Sequence, residues 1–85
     1  MKYKIFTSDS IETLHNEIEI GAADSYQAAC WVIKEAIPQA AANHYWRLLF
    51  GENATFIDYG SWSKFVAIVP PISVAEIMKG SNNND

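Results

Sequence analysis

The stretch IDYGSWSKFVAIVPP, residues 57–71, decides the fold that this sequence predicts. Gly60 and Ser61 separate its two apolar halves, and a glycine followed by a small residue is typical of a two-residue type II′ hairpin loop, because the first loop position needs a positive φ. The second half, KFVAIV, is apolar on both faces, which is typical of a central strand. Pro70 and Pro71 end that strand, since proline cannot donate a hydrogen bond to a sheet.

The predicted loop also fixes which side chains face each other across the hairpin. Counting outward from the loop, Tyr59 faces Trp62 and Phe56 faces Phe65. Because side chains alternate along a strand, the two phenylalanines share one face of the sheet. The Tyr59 and Trp62 pair then lies on the other face near the hairpin tip, where both rings are candidates for contact.

The first part of the chain predicts a long hairpin followed by a helix. Residues 2–7 alternate as a half-buried strand does. A second strand is predicted from about residue 15 to residue 20, and Gly21 is expected to break it. Asp24 or Ser25 then caps the N-terminus of a helix.

This helix has an apolar stripe with the spacing i, i+3, i+4, i+7 and i+11, which can pack on a sheet. The stripe consists of Tyr26, Ala29, Cys30, Ile33 and Ile37. Trp31 lies outside it, so packing on the sheet does not explain that residue. Pro38 ends or kinks the helix, because its ring clashes with the carbonyl four residues earlier.

Residues 44–50 allow two interpretations. They could form a second helix with Gly51 as its C-cap, or a strand that a short link joins to residues 54–59. The density of aromatic residues and the glycine in the link favour the strand. Residues 72–80 predict a short closing helix, with Ser73 and Glu76 as a capping box.

Together these elements predict an α+β fold with the order ββαβββα. A single small domain, residues 1–80, is expected to hold an antiparallel sheet of about five strands. One main helix packs on one face of the sheet, and a short helix closes the chain. Residues 81–85 form a polar C-terminal tail. Because one helix layer covers only one face, the other face is expected to be open.

Composition limits the classes of function. A chain of 85 residues with a net charge of −4 has room for one core, so any site is expected to be shallow. The acidic balance disfavours general nucleic-acid binding, which depends on Lys and Arg. A single cysteine excludes an internal disulfide, and no apolar run reaches the length of a membrane span. We therefore expect a cytoplasmic protein that has no membrane contact.

No arrangement of residues predicts catalysis, a metal site or a cofactor. His15, Glu17 and Glu19 alternate onto one strand face and could offer one nitrogen and two carboxylates, but a solvated strand has the same pattern. Cys30 lies in the apolar helix stripe, which is typical of a small core residue. His44 has no identifiable partner for acid–base chemistry.

Two sets of residues are instead candidates for contact with a partner. The first is acidic and suits a basic partner surface; it consists of Asp9, Glu12, Glu17, Glu19 and Asp24. The second is aromatic and polar, since tryptophan and arginine are enriched at the energetic centres of interfaces; it consists of Trp31, Trp46, Arg47, Tyr59 and Trp62.

These sets predict a small non-catalytic protein that binds a protein partner with a basic surface. A hairpin followed by a helix beginning ADSYQAA resembles the layout of many small proteins of phages and mobile elements. That resemblance implies an accessory protein, such as an inhibitor of a host defence or nucleic-acid-handling complex. One alternative is a small-molecule or single-stranded nucleic-acid binder that uses the open sheet face. Another is a structural homo-oligomer, for instance a homodimer formed through that face or an edge strand.

Overall fold

The computed structural model describes residues 2–81, with side chains placed through Met78. Within that range, five strands and three helices follow in the order ββααβββα. The strands are β1 (Tyr3–Ser8), β2 (Ile18–Ala23), β3 (Arg47–Phe50), β4 (Thr55–Asp58) and β5 (Phe65–Val69). The helices are α1 (Tyr26–Ala36), α2 (Pro38–Ala42) and α3 (Val74–Ser81). The predicted α+β class is confirmed, and α2 is added to the predicted order.

The strands of residues 2–81 form one antiparallel sheet in the order β2-β1-β5-β4-β3. β5 is central, as its apolar pattern predicts, and its residues Val66, Ala67 and Ile68 are buried. β3 confirms the strand interpretation of the segment before Gly51. The Gly51 amide donates to the Ala54 carbonyl at 3.0 Å, which closes the turn into β4. β2 and β3 are therefore the two edges of the sheet.

One face of the sheet packs against the helices and forms the larger hydrophobic core. Its buried members are Tyr3, Ile5, Ala23, Ala29, Ile33, Ala40, Ile57, Tyr59, Val66, Ile68 and Ile72. A fully buried aliphatic side chain stabilises a fold by roughly 1.5–3 kcal/mol. This helix-side core therefore supplies most of the apolar burial in the molecule.

The opposite face carries a smaller second core. Ala54, Phe56 and Ala67 are buried there, and Ile11 from the β1–β2 loop packs against them. Partly buried neighbours complete this cluster, namely Phe6, Leu49 and Val69. The prediction that this face is open is therefore wrong at its centre, because the β1–β2 loop folds back over it. We call this side of the sheet the loop face.

Helix α1 forms where the sequence predicts it. Ser25 is the N-cap, and its hydroxyl accepts a hydrogen bond from the Ala28 amide at 3.1 Å. Ala29 and Ile33 of the predicted stripe are fully buried, whereas Trp31 is 68 % exposed. Pro38 ends this helix but also starts the next one, because a proline is tolerated in the first turn of a helix.

Strand β2 differs from its prediction in both bounds. It begins at Ile18 and runs through Gly21 to Ala23, so Gly21 does not break it. Ile5 pairs with Gly21 and Phe6 with Glu19, which leaves one extra residue between them as a β-bulge. A Cβ at Gly21 would lie 2.5 Å from Cγ1 of Val32 on α1. Glycine is needed here for close approach of the helix to the strand, not for a turn.

The β4–β5 hairpin also differs from its prediction. Ile57 pairs with Val66 and Phe56 with Ala67, so Phe56 does not face Phe65 directly. The connection covers residues 59–64 instead of two residues. Gly60 does have the positive φ that the sequence predicts, at 102°. Tyr59 continues the alternation of β4, so it lies with Ile57 on the helix side, where the helices bury it.

The last segment is attached to the sheet by a buried hydroxyl in addition to the core packing of Ile72. Thr55 Oγ1 accepts from the Ile72 amide at 2.8 Å and donates to the Ile72 carbonyl at 3.2 Å. α3 then runs through Ser81, the first residue of the predicted polar tail, and the rest of that tail lies outside the described residues. Within the described part of the chain, no helix has the length and apolar character needed to cross a membrane.

Candidate functional site

The β1–β2 loop is a compact unit organised around a buried hydroxyl. Ser8 Oγ accepts hydrogen bonds from the amides of Ser10 and His15, both at 3.2 Å. It can donate to the carbonyl of Ser10 at 2.9 Å or to that of Thr13 at 3.1 Å. The Asp9 amide closes the neck of the loop by donating to the His15 carbonyl at 2.9 Å. These bonds hold the loop in one shape on the sheet.

The Asp9 carboxylate ties the loop to the β4–β5 turn. It accepts hydrogen bonds from Lys64 Nζ and, at 2.9 Å, from Asn16 Nδ2. His15 Nδ1 lies 3.9 Å away. The pKa of the Asp9 carboxyl is lowered from its usual value, first by the Lys64 hydrogen bond and then by that from Asn16. Asp9 thus remains a carboxylate that is already engaged within the fold.

A first cleft lies on the loop face beside the β4–β5 turn, and we call it the tryptophan cleft. It is an open groove of about 450 Å³. Its lining consists of Ile11, Arg47, Asp58, Gly60, Ser61, Trp62 and Phe65. Trp62 is 99 % exposed, whereas Arg47 is held by Asp58 at 3.0 Å. An apolar ring and a guanidinium therefore line the same open groove at one end of the loop face.

The turn that carries Trp62 is held by its own hydrogen bonds. Ser61 Oγ accepts from the amides of Ser63 and Lys64 at 3.3 and 3.1 Å, and Asp58 Oδ1 accepts from the Gly60 amide at 3.0 Å. The Lys64 side chain adds its contact with the β1–β2 loop. The indole of Trp62 is thus presented from an ordered turn, although it contributes almost no burial to the fold.

A second cleft, the glutamate cleft, lies on the other side of the β1–β2 loop. It has a volume of about 370 Å³ between that loop and the β3–β4 turn. Its lining consists of Glu12, Thr13, Leu14, Gly51, Glu52, Asn53, Ala54 and Phe56. Leu14, Ala54 and Phe56 make an apolar wall, and no basic residue is among the described residues that line it. The β1–β2 loop therefore separates an aromatic cleft from an acidic one.

The charges that lack an ion pair are mostly negative. Lys2, Arg47 and Lys64 each pair with a carboxylate. Among the side chains placed in residues 2–78, the carboxylates outside any ion pair are Glu12, Glu17, Glu19, Asp24, Glu35 and Glu52. Within the same range, the only lysines outside any ion pair are Lys4 and Lys34. The net negative charge is therefore available at the surface instead of being cancelled internally.

The five predicted acidic residues do not form one cluster. Glu12 borders the glutamate cleft, and Glu19 lies on the loop face because it pairs with Phe6. Glu17 is exposed between the loop and β2. Asp24 lies at the opposite end of the β1–β2 ladder from Asp9, where it accepts from the Lys2 amide at 3.1 Å. Within the described residues, no group of three or more His, Cys, Asp or Glu is placed to hold a metal ion.

The five predicted aromatic and polar residues are divided between the two faces. Arg47 and Trp62 both line the tryptophan cleft. Tyr59 is only 4 % exposed in the helix-side core, so its placement beside Trp62 as an exposed contact is wrong. Trp46 is half-buried against the same core, and its Nε1 donates to the Ala40 carbonyl at 3.1 Å.

The remaining member of that set, Trp31, is exposed on α1, in the helix layer. The alternative of a small-molecule or nucleic-acid binder needs four residues together on one open sheet face, namely Trp46, Arg47, Tyr59 and Trp62. This fold does not bring them together.

A further cleft, the lysine cleft, lies on the helix side between α1 and β3. It is a groove of about 400 Å³ lined by Tyr26, Cys30, Lys34, Ala41, Asn43, His44, Trp46 and Leu48. Burial raises the pKa of the Cys30 thiol above its usual value, although Tyr26 and Lys34 act in the opposite direction. Burial also raises the pKa of Tyr26, and the neighbouring Cys30 acts in the same direction. The thiol is thus held in its neutral form, the opposite of an activated nucleophile.

Several residues of the loop face were not singled out by the sequence patterns. Ile11 and Leu14 have the spacing of a helix stripe, but Ile11 packs on the second core and Leu14 lines the glutamate cleft. In the sequence, Ser8 has the pattern of an ordinary turn residue. Glu52 has the pattern of a solvated charge in the short connection between two strands. The one usable signal is the pair of apolar residues within the otherwise polar segment SDSIETLH, which a surface loop does not require.

Comparisons of the chain with known proteins gave no match that bears on these surfaces. No protein-family model matches the chain, and the search of curated proteins and the search of solved structures gave no significant match.

Proposed function

We propose that this protein is a non-catalytic binding protein whose loop face docks on a protein partner with a basic surface. One observation carries the proposal: Trp62 is 99 % exposed on a hydrogen-bonded turn and lines one groove with Arg47, Ile11 and Phe65. An exposed indole contributes little to folding, whereas at a protein interface tryptophan is among the residues that contribute most. An ordered turn also lowers the entropy cost of using it.

The charge of the loop face suits a partner of opposite sign. Glu12 and Glu52 line one cleft, have no ion pair within the described residues, and stand next to the apolar side chains of Leu14 and Phe56. A lysine or arginine side chain matches that arrangement, because its aliphatic stem packs on apolar groups while its charged head meets carboxylates. Trp62 then anchors the other end of the contact. A basic surface that normally holds nucleic acid would be blocked by such a partner, which is the inhibitor role that the sequence suggests.

The state of the cysteine supports binding over catalysis. A catalytic thiol needs a lowered pKa and an adjacent base, whereas the pKa of Cys30 is raised by burial. The hydroxyls of Ser8 and Thr55 are buried and engaged with backbone groups. The proposal therefore uses surface contacts and no reacting group, in a protein that acts in the cytoplasm.

The test is a comparative capture experiment in a cell extract of the organism in which the protein is made. Wild-type protein and the variant Trp62→Ala are immobilised at equal density, and retained proteins are quantified by mass spectrometry at several salt concentrations. Removal of an interface tryptophan that contributes strongly to binding costs about 2 kcal/mol or more, so the affinity for the partner should fall roughly thirtyfold. The charge-neutral variant Glu12→Gln with Glu52→Gln should weaken capture mainly at low salt.

Trp31→Ala is the matched control, because Trp31 is also exposed but lies on α1. It should capture the partner as wild type does. A partner that Trp62→Ala retains in full, or that only Trp31→Ala loses, would refute the loop face as the docking surface. Quenching of tryptophan fluorescence by a single-stranded oligonucleotide at low salt, present in wild type and lost in Trp62→Ala, would instead make nucleic acid the ligand.

The β3 edge favours self-association as a second candidate. Phe50 is 52 % exposed, Leu48 and Leu49 are partly buried, and no strand in residues 2–81 pairs with the outer side of β3. Antiparallel pairing with a second copy, centred on Leu48 or Leu49, places each Arg47 opposite Leu49 or Gly51 and avoids facing like charges. Light scattering over a range of concentrations tests this. A dimer that Phe50→Lys dissociates supports it, and a wild-type monomer at every concentration refutes it.

A further inference from the structure

The lysine cleft differs in charge from the rest of the molecule. The chain carries a net charge of −4, yet no Asp or Glu is among the described residues that line this cleft. Lys34 and His44 both line it, and Lys34 has no ion pair within residues 2–78. The described lining of this cleft therefore holds a lysine and no carboxylate, although the chain as a whole is acidic.

The polar groups of this cleft are not all used by the fold. Asn43 is engaged, since its Nδ2 donates to the Tyr59 carbonyl at 2.6 Å and its Oδ1 accepts from the Tyr45 amide at 2.9 Å. The indole N–H of Trp46 is likewise bonded, to the Ala40 carbonyl. The ammonium of Lys34 lies 5.6 Å from the Trp46 ring centroid and keeps its three donors. The fixed groups form the walls, while the lysine remains available to a ligand.

The spacing of the lining residues gives the cleft a defined shape. Tyr26, Cys30 and Lys34 are four residues apart on α1, so their side chains lie in one row along the helix. Trp46 and Leu48 form the opposite wall from the β3 side. A volume of about 400 Å³ is within the range of small-molecule sites. One end of the row is cationic and the middle is apolar or weakly polar.

We propose that the lysine cleft binds a small organic anion, a carboxylate or phosphate monoester with an apolar body. The anionic group pairs with the Lys34 ammonium and accepts a hydrogen bond from the imidazole of His44. The apolar body lies along Trp46 and Leu48, against the thiol of Cys30. This site is on the helix side, apart from the loop face, so it is independent of the proposed protein contact.

Two reporters already lie in the cleft. Trp46 becomes the sole tryptophan when the exposed Trp31 and Trp62 are both replaced by phenylalanine, and Cys30 is the single cysteine of the chain. Phenyl phosphate, benzoate and inorganic phosphate serve as anionic probes, with benzylamine as the cationic control. Phenyl phosphate should give a saturable change in Trp46 fluorescence and should slow the alkylation of Cys30. Inorganic phosphate should bind more weakly because it lacks the apolar body.

Lys34→Gln should weaken phenyl phosphate binding about tenfold, the effect of losing one charge-assisted hydrogen bond. The matched control is Lys4→Gln, because Lys4 is also an exposed lysine without an ion pair but lies on β1. Lys4→Gln should bind phenyl phosphate as strongly as the protein that keeps both lysines. Far-ultraviolet circular dichroism confirms that both variants are folded. Equal responses to benzylamine and phenyl phosphate, equal binding by Lys34→Gln, or no saturable response to any anion would each overturn the proposal.

Discussion

Replacing Ser8 by alanine tests whether one buried hydroxyl holds the β1–β2 loop on the sheet. The Ser8 side chain is fully buried and accepts from the amides of Ser10 and His15. The variant leaves both amides without that partner. Each loss costs about 1 kcal/mol, the lower end of the range for a buried unsatisfied group, because the two amides are only partly buried. We therefore expect Ser8→Ala to lower the free energy of unfolding by about 2 kcal/mol.

For a domain of this size, that change corresponds to a decrease in Tm of roughly 8–16 °C. Urea denaturation measures the free energy of unfolding, and hydrogen exchange should show faster exchange of the Ser10 and His15 amides. Ser10→Ala is the control: its hydroxyl accepts from the amides of Glu12 and Thr13 at exposed positions, where water replaces it at a cost within about 0.5 kcal/mol.

The same variant connects the loop to the proposed contact. Ser8→Ala should weaken partner capture although Trp62 is unchanged, because the loop supplies Ile11 and Glu12 to the two clefts of the loop face. The reasoning is refuted if Ser8→Ala destabilises by no more than the Ser10→Ala control and leaves the exchange of both amides unchanged.

Three further predictions concern contacts elsewhere in the fold. Gly21→Ala should destabilise by about 1–3 kcal/mol, because its Cβ meets Val32 at 2.5 Å, and Val32→Ala in the same chain should recover part of that loss. Additive effects in this double-mutant cycle, measured by urea denaturation, would show that the contact is not the cause. Thr55→Val should cost about 2–4 kcal/mol, since it leaves the amide and carbonyl of Ile72 without their partner; a value below that of an exposed Thr13→Val control would contradict this. Cys30 alkylation should reach half of its maximal rate at a pH above the usual thiol value of about 8.5, because burial raises its pKa and the thiolate is the reacting form. In urea the midpoint should return to that of a free cysteine peptide, and an unshifted midpoint in the folded protein would refute the burial argument.

Local patterns were sufficient for the elements that depend on neighbouring residues. The cap at Ser25, the end of α1 before Pro38 and the positive φ at Gly60 are set by backbone sterics and local hydrogen bonds, so they could be predicted. The same applies to β5, whose continuous apolar run requires burial on both faces. The exposure of Trp31 followed from helical periodicity, because a residue off the apolar stripe faces away from the sheet.

Other features depend on residues that are distant in the sequence. The sequence predicts that Gly21 breaks a strand, but the contact with Val32 explains this glycine. Tyr59 is predicted to be exposed, but the helix-side core covers its face of the sheet. Loop length sets hairpin register, and a one-residue difference sends a side chain to the other face, so small errors in the turn change the predicted site.

By itself, then, the sequence determined the α+β class, the main helix, the central strand and the acidic character of the surface. Only the tertiary structure decided that Ile11 and the β1–β2 loop cover one sheet face, that Arg47 and Trp62 line one groove there, and that Glu12 lines a cleft with Glu52. The physical reason is that periodicity encodes which residues are buried. It does not encode which distant segment buries them, because that choice depends on loop packing and on ion pairs such as Lys64 with Asp9.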